Sequence, residues 1–448
     1  MWRDRLRVGL SVLLAGQFLA FCSGRLVAAE RDRAPNIILI VADDLGWGDV
    51  GFNGRREWST PNLDKLAKEG RVLERCYAAG VVCAPSRAAF LTGKSTIHSG
   101  VRVNHEDLPA EEVTIAEALK PLGYRTALFG KWHSGRPRSG QKESVHPCDQ
   151  GFDEFFGYTD AGHAWEKFPT KLWEGRREIS VTGYIDDLIT DRGLDFARTN
   201  SGRPFFLYLA YVATHFHVAA PEDEVALHKG KFVESDPELP LKASYAAMVT
   251  RLDRNIGRLL EAIRQLDLSR ETLIVFTSDH GATFESGNAG TSAALDSNRP
   301  FRGQKRTLWE GGVRVPALVW WPGRIPAGVT GKEVVQLIDL LPTFVAAAGG
   351  TPDPGWRVDG IDLLDVWTGK SAAPERTIFW EWQSERSDQI AAMRGQYKLV
   401  VSHGGKSELY DVVADPAERR DVSAEHPELT RELRVELAAW LKTVVPRK

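Results

Sequence analysis

The sequence predicts an α/β fold: a large, mostly parallel sheet flanked by helices, with a smaller C-terminal α+β region. Three observations carry this. Residues 36–41 (NIILIV), 124–129, 205–212 (FFLYLAYV) and 272–277 (TLIVFT) are short, nearly continuous apolar runs, the pattern of strands buried on both faces. Segments of helical periodicity lie between them, as βαβ units require. Each run ends in charged or imidazole residues, namely Asp43-Asp44, Lys131-Trp132-His133, His215-Phe216-His217 and Ser278-Asp279-His280. Open α/β sheets bind their ligands outside the carboxyl ends of the strands, so the four ends point to one site.

The chain of 448 residues is long enough for two or three domains, or one large one with an accessory. With 43% hydrophobic and 26% charged residues it is of globular composition, which excludes disordered and collagen-like classes. Its 57 Lys+Arg balance 60 Asp+Glu, so no basic excess points to nucleic acid. Four cysteines are too few for a disulfide scaffold.

Residues 1–29 have the layout of a signal peptide: Arg3, Arg5 and Arg7, a largely apolar run over 8–21, then Val27-Ala28-Ala29. That run of 14 residues is shorter than the about 20 a bilayer span needs, and no other stretch reads as a stable membrane span. Phe21 before Cys22 is bulky for a lipoprotein site. The absence of an Asn-x-Ser/Thr sequon favours a bacterial periplasmic or extracellular home over a eukaryotic secretory one. Cleavage after Ala29 leaves Cys76, Cys83 and Cys148, an odd count that points to a thiol with another purpose; pairing of Cys76 with Cys148 stays open.

Thr60-Pro61 reads as an N-cap and first helical position, and residues 245–266 as an amphipathic helix. Residues 221–240 and 284–300 read as polar loops bordering a site. GGTPDPG at 349–355 follows the helical segment DLLPTFVAAA and marks a break. Beyond it lie strand-like TIFWEW, YKLVVS and SELYDV and a helical pattern over 425–444. The expected organisation is signal 1–29, catalytic domain 30–350 and C-terminal domain 351–448, the last with a small antiparallel sheet and terminal helix.

The chemistry centres on Cys83-Ala84-Pro85-Ser86-Arg87. Pro85 suits a first helical turn, which puts Cys83 at a helix N-terminus, where free N–H groups favour an anion and lower a thiol's pKa. Asp43, Asp44 and Asp279 supply carboxylates that suit calcium or magnesium, and the neighbouring His280 admits a softer metal. An isolated Asp-Asp pair is ordinarily a cap or a solvated turn; acidic pairs at two buried strand ends are not. Lys131, His133, His215 and Lys305 add cations and imidazoles. Opposite a metal, cations neutralise the non-bridging oxygens of a sulfate or phosphate ester, and an imidazole protonates the leaving alcohol.

These residues resemble those of the formylglycine-dependent sulfatases, within the alkaline-phosphatase-like superfamily. The resemblance runs in order through NIILIVADDLGWGD, CAPSRAAFLTG, GKWH, the His215 segment, TSDHG, RGQKRTLWEGG and ELYDVVADPAE, about residues 35–417. It implies that a maturation enzyme oxidises Cys83 to formylglycine, whose hydrate attacks sulfur and passes through a covalent sulfated intermediate. It implies one calcium ion on Asp43, Asp44, Asp279 and His280. It gives Arg87 the role of steadying the diol, His133 that of base for sulfate release, Lys131 and Lys305 that of holding sulfate oxygens, and His215 with Lys305 a place by the leaving oxygen. Many relatives carry asparagine where His280 stands. The segment ATHFHV lacks the proline that often precedes the histidine, so His217 competes with His215 for that role. The expected activity is an exported sulfatase acting on a small molecule or glycan, through its carbohydrate. The alternatives are a related phosphodiester or phosphonate monoester hydrolase and a non-catalytic binder of sulfated glycans. Residues 141–167 and 284–300 are the expected specificity loops.

Overall fold

The computed structural model describes residues 33–135, 145–384 and 388–444. The expected signal peptide, residues 1–29, lies outside the described residues, as do residues 141–144 of the first specificity loop.

Ten strands form the main sheet: β1 (Asn36–Asp43), β2 (Arg71–Tyr77), β3 (Arg125–Lys131), β4 (Glu154–Tyr158), β5 (Lys171–Glu174), β6 (Arg177–Ser180), β7 (Phe205–Thr214), β8 (Thr272–Ser278), β9 (Leu318–Trp320) and β10 (Val329–Gln336). Their order is β10-β2-β9-β8-β1-β7-β3-β4-β5-β6. The central strand β1 runs parallel to both neighbours, with Ile38 opposite Leu207 on one side and Ile274 on the other. All eight of its residues are buried, because helices cover both faces. Ile38, Ile40 and Ala42 pack toward helices Pro61–Glu69, Ile185–Thr199 and Leu241–Gln265. Ile37, Leu39 and Val41 pack toward Cys83–Thr92, Ile115–Leu119 and Leu340–Ala347. The α/β class is thus the predicted one, and the four predicted runs are β1, β3, β7 and β8. Antiparallel pairing is confined to β9, which opposes β2 and β8, and to the β4-β5-β6 edge.

A second sheet, β11 (Thr377–Trp382), β12 (Gln389–Arg394), β13 (Tyr397–Ser402) and β14 (Ser407–Asp411), is an antiparallel meander. Helix Pro427–Leu441 covers one face through Leu433 and Leu437. The other face meets Tyr77, Val81, Val82, Leu308 and Trp309.

Local differences from the sequence reading have physical causes. Thr60 stands before the helix as expected, yet its hydroxyl does not cap it. The hydroxyl accepts from Gly51 N and donates to Asp64, while Asp253, far along the chain, accepts from Asn62 N and Leu63 N. Residues 221–240 contain the short helix Glu222–Ala226, and 284–300 contain Thr291–Ala294. Cys76 and Cys148 are both free thiols, and burial pushes the Cys76 thiol well above its ordinary range, so it is inert. Among the described residues no helix is long and apolar enough to cross a membrane.

Candidate active site

The four strand ends converge as the sequence reading expects. The β1–β7 register slips between Val41 and Asp43, where Asp43 comes opposite Thr214. At that slip the Asp186 carboxylate accepts from Val212 N and Ala213 N, a replacement for lost ladder partners. Asp44 (φ 62) and His133 (φ 51) then turn through left-handed backbone, which few residues without an amide or short carboxyl side chain adopt.

Helix Cys83–Thr92 begins at the cysteine, as Pro85 predicts. Asn104 accepts from Ala84 N and Ser86 Oγ donates to Asp279 O, which fix the helix start against loop and strand. The Cys83 thiol lies 3.4 Å from His280 Nε2, 3.6 Å from Lys305 Nζ and 3.7 Å from Asp43 Oδ1. Burial opposes thiolate formation, but Lys131, Lys305 and His280 outweigh it and hold the thiol well below its ordinary range.

Arg87, fully buried, ties the strand ends together. Its guanidinium donates to Asp279 Oδ2 at 2.9 Å, Asp43 Oδ1 at 3.3 Å, the Lys131 carbonyl at 3.0 Å and Tyr208 Oη at 3.2 Å. Lys131 Nζ reaches Asp43 at 2.7 Å and Lys305 Nζ reaches Asp44 at 2.8 Å. Burial again opposes ionisation of Asp43, yet Lys131, His215 and Arg87 hold its carboxyl below the usual range. Burial lowers the His133 imidazole to about 4, with Cys83 opposing, and neither ring nitrogen has a hydrogen-bond partner among the described residues. His215 Nε2 lies 3.8 Å from Asp44, whereas His217 is exposed and outside this cluster.

The ligand atoms fall into two overlapping sets that share Cys83: Asp43, Asp44, Cys83 and His215, and Cys83, Asp279 and His280. His280 Nε2 stands 3.5 Å from Asp44 and 3.7 Å from Asp279, which links the sets. Burial opposes protonation of His280, but Asp279 and Cys83 raise it to about 9. The three buried carboxylates of the two sets, Asp43, Asp44 and Asp279, are oxygen donors of the kind that fits a hard cation.

Lys305 arrives on a turn that two contacts fix. Gly281 receives that turn closely: a Cβ there would stand 1.8 Å from Gly311 O, so only glycine fits. Behind it, Glu310 meets the C-terminal sheet. Lys398 Nζ pairs with Glu310 and Glu418 at 2.9 Å each, and Glu310 N donates to Glu418 Oε2. Arg302 lies over Trp309, which packs edge-on to Tyr410. The ELYDVVADPAE segment therefore supports the lysine turn from below.

All ten residues singled out from the sequence gather here. Sequence reasoning missed Tyr208 and Asn104. A polar residue inside the apolar run FFLYLAYV signals the first; nothing in the sequence marks the second.

The chain matches the sulfatase family model over residues 35–350, and the model for the C-terminal region of N-sulphoglucosamine sulphohydrolase over residues 302–443. It is 34% identical to N-acetylgalactosamine-6-sulfatase from Canis lupus familiaris over 85% of this chain and 74% of that one. It is 35% identical to human arylsulfatase A, covering 89% of this chain and 80% of that one. Among solved structures, Ps i-CgsB superposes with a TM-score of 0.84 at 31% identity over 93% of this chain and 94% of that one, and was also solved with k-i-k-neocarrahexaose at TM-score 0.84. With the fold, the motif order and these matches agreeing along most of its length, the chain belongs to the sulfatase family and is a sulfuric ester hydrolase.

Proposed function

We propose that this protein is an exported bacterial sulfatase that removes sulfate from a carbohydrate ester, with residue 83 matured from cysteine to formylglycine and one calcium ion on Asp43, Asp44, Asp279 and His280. The observation that carries the reading is the setting of Cys83: a helix N-terminus, buried, within 3.7 Å of a carboxylate, an imidazole and an ammonium. The carbohydrate is supported by relatives named for N-acetylgalactosamine 6-sulfate and by the oligosaccharide complex of Ps i-CgsB. Export is supported by the three-part sequence of residues 1–29. We read 30–350 as the catalytic domain and 351–448 as its C-terminal companion.

The matured residue would supply a hydroxyl nucleophile, and a calcium ion held by Asp43, Asp44, Asp279 and His280 would supply positive charge to the sulfate group. The chain's own groups do the rest. Lys131 and Lys305 hold the non-bridging oxygens, their charge secured by Asp43 and Asp44. Arg87 keeps Asp43 and Asp279 in place and steadies residue 83. His133 is neutral at physiological pH, since its pKa is lowered to about 4, and its unsatisfied nitrogens suit it to take a proton during sulfate release. His215, buried beside Asp44, serves the leaving oxygen in preference to the exposed His217.

Mass spectrometry of the peptide containing residue 83, from protein made with its maturation enzyme, tests the reading. The expected product carries an aldehyde or its hydrate; an unmodified thiol throughout would overturn the mechanism. Rates on 4-nitrophenyl sulfate and 4-nitrophenyl phosphate complete the test. A preference for sulfate is expected, a preference for phosphate points to the phosphohydrolase alternative, and turnover of neither to a non-catalytic binder.

A further inference from the structure

The two segments expected to set specificity meet on one side chain. Phe216, one residue beyond His215, packs against that imidazole with ring centroids 4.1 Å apart and the planes tilted by 31°. Trp165 packs on it from one side at 5.2 Å. From the other, the backbone of the 284–300 segment closes in: a Cβ on Gly287 would stand 2.9 Å from the Phe216 ring. Lys305 Nζ lies 5.9 Å from the centroid of the same ring, so Phe216 stands near both groups placed at the leaving oxygen.

Exposure rises along this row. His215 is 3% exposed, Phe216 is half-buried, His217 is exposed and Trp165 is 40% exposed. The row is also held at its backbone. Lys167, itself buried, donates to Ala164 O at 3.0 Å and Phe216 O at 3.3 Å, and His217 N donates to Trp165 O. An indole kept on the surface by this many anchors is not there for core packing. Elsewhere in the protein the tryptophans Trp132, Trp320, Trp367 and Trp380 are fully buried.

We propose that Trp165, with His217 beside it, is the platform for the carbohydrate leaving group: Phe216, packed on both sides, backs the row, the sugar that carries the sulfate lies at its edge, and the neighbour of that sugar in the chain stacks on Trp165. The argument rests on the carbohydrate reading above. The sulfated carbon must sit beside His215 and Lys305, so the rest of the saccharide leaves the buried centre along this row, the side on which exposure rises. A pyranose offers an apolar C–H face to an aromatic ring, while its hydroxyls stay in water at the rim; the exposed imidazole of His217 stands ready for one of them. Ring platforms order a ligand at little entropic cost because an indole has only two side-chain torsions.

The test compares wild type, Trp165→Ala and Trp165→Phe as matured enzymes. The substrates are 4-nitrophenyl sulfate, sulfated chondroitin disaccharides and sulfated chondroitin and carrageenan hexasaccharides. For Trp165→Ala, kcat/KM on the best hexasaccharide should fall at least tenfold more than on 4-nitrophenyl sulfate. The loss should lie in KM, and Trp165→Phe should recover most of it. Binding of the hexasaccharide to Cys83→Ala, measured by calorimetry, should weaken by the same factor when Trp165→Ala is added. Equal losses on both substrate classes, or no loss on the hexasaccharide, would overturn the platform and leave the carbohydrate reading intact. A wild-type enzyme that cleaves 4-nitrophenyl sulfate but none of the saccharides would overturn both.

Discussion

Two clusters of buried charge lie on either side of the Lys305 turn, and they are built to opposite ends. Around Lys398, each charge meets a fixed counter-charge: Glu310 accepts from Lys398, Tyr77 and Arg314, and Glu418 takes Lys398 and the Glu310 amide. Around Cys83, three carboxylates, two ammoniums, a guanidinium and three imidazoles crowd together, His133 has no hydrogen-bond partner among the described residues, and the thiol is drawn toward its anion. A buried ion pair offsets its desolvation cost only when its geometry is complete. In the first cluster each carboxylate faces the lysine, and the cluster serves the fold. The second also pairs Lys131 with Asp43, Lys305 with Asp44 and Arg87 with Asp43 and Asp279, but it gathers a thiol and three imidazoles among those pairs, the kind of crowding of perturbed groups that marks a site.

Substitutions should separate the two. The largest effect is expected at the site: Cys83→Ala should lower turnover of an aryl sulfate by more than about a thousandfold. Its melting temperature should stay within a few degrees of wild type, since Lys131 and Lys305 keep their carboxylate partners. Full activity, or an unfolded variant, would count against the distinction between the clusters. Next comes Lys398→Met, which leaves Glu310 and Glu418 facing each other without their lysine. Unfolding in denaturant should show a loss of about 3–5 kcal/mol. A neutral result would mean that the cluster does not support the fold.

The smallest effect is a pH dependence. Burial raises the Glu418 carboxyl from its ordinary value to about 7 while Lys398 opposes that rise, whereas Glu310, facing the same burial, is lowered because Lys398 and Arg314 win there. A raised folded pKa means that the folded state binds the proton more tightly. This group's contribution is therefore full below about pH 4.5 and is lost as pH rises through about 7. Glu418→Gln should remove that slope, on the order of 1 kcal/mol per pH unit, from the difference between the two stability curves over pH 5–7. Parallel curves would show that Glu418 stays ionised.

The main sheet was legible because its strands are covered on both faces. NIILIV and TLIVFT, with unbroken apolar stretches of five and four residues, read as interior, and a charged tail on such a run has to lie at the sheet's end. β12 was not legible: QIAAMR carries glutamine and arginine and little β propensity, and it becomes a strand because β11 and β13 offer hydrogen-bond partners on both edges. Asp253 as the cap of helix Pro61–Glu69 was equally hidden, since Thr60 has the right chemistry at the right place and a carboxylate from another helix takes the role.

At the site, the residue types and their order along the chain were set by the sequence: a cysteine before a proline at a helix start, acids after buried strands, and a lysine in a glycine-rich turn. The sequence could not say which atoms meet. That His215 rather than His217 enters the cluster, that Arg87 joins three strand ends and Tyr208 within β7, and that Lys398 and Glu418 carry the turn bearing Lys305 are consequences of sheet order and register. Those bring together residues from 44 to 192 positions apart. Local chemistry selects what a residue can do; only the closure of the chain on itself fixes which partner stands within 3 Å of it.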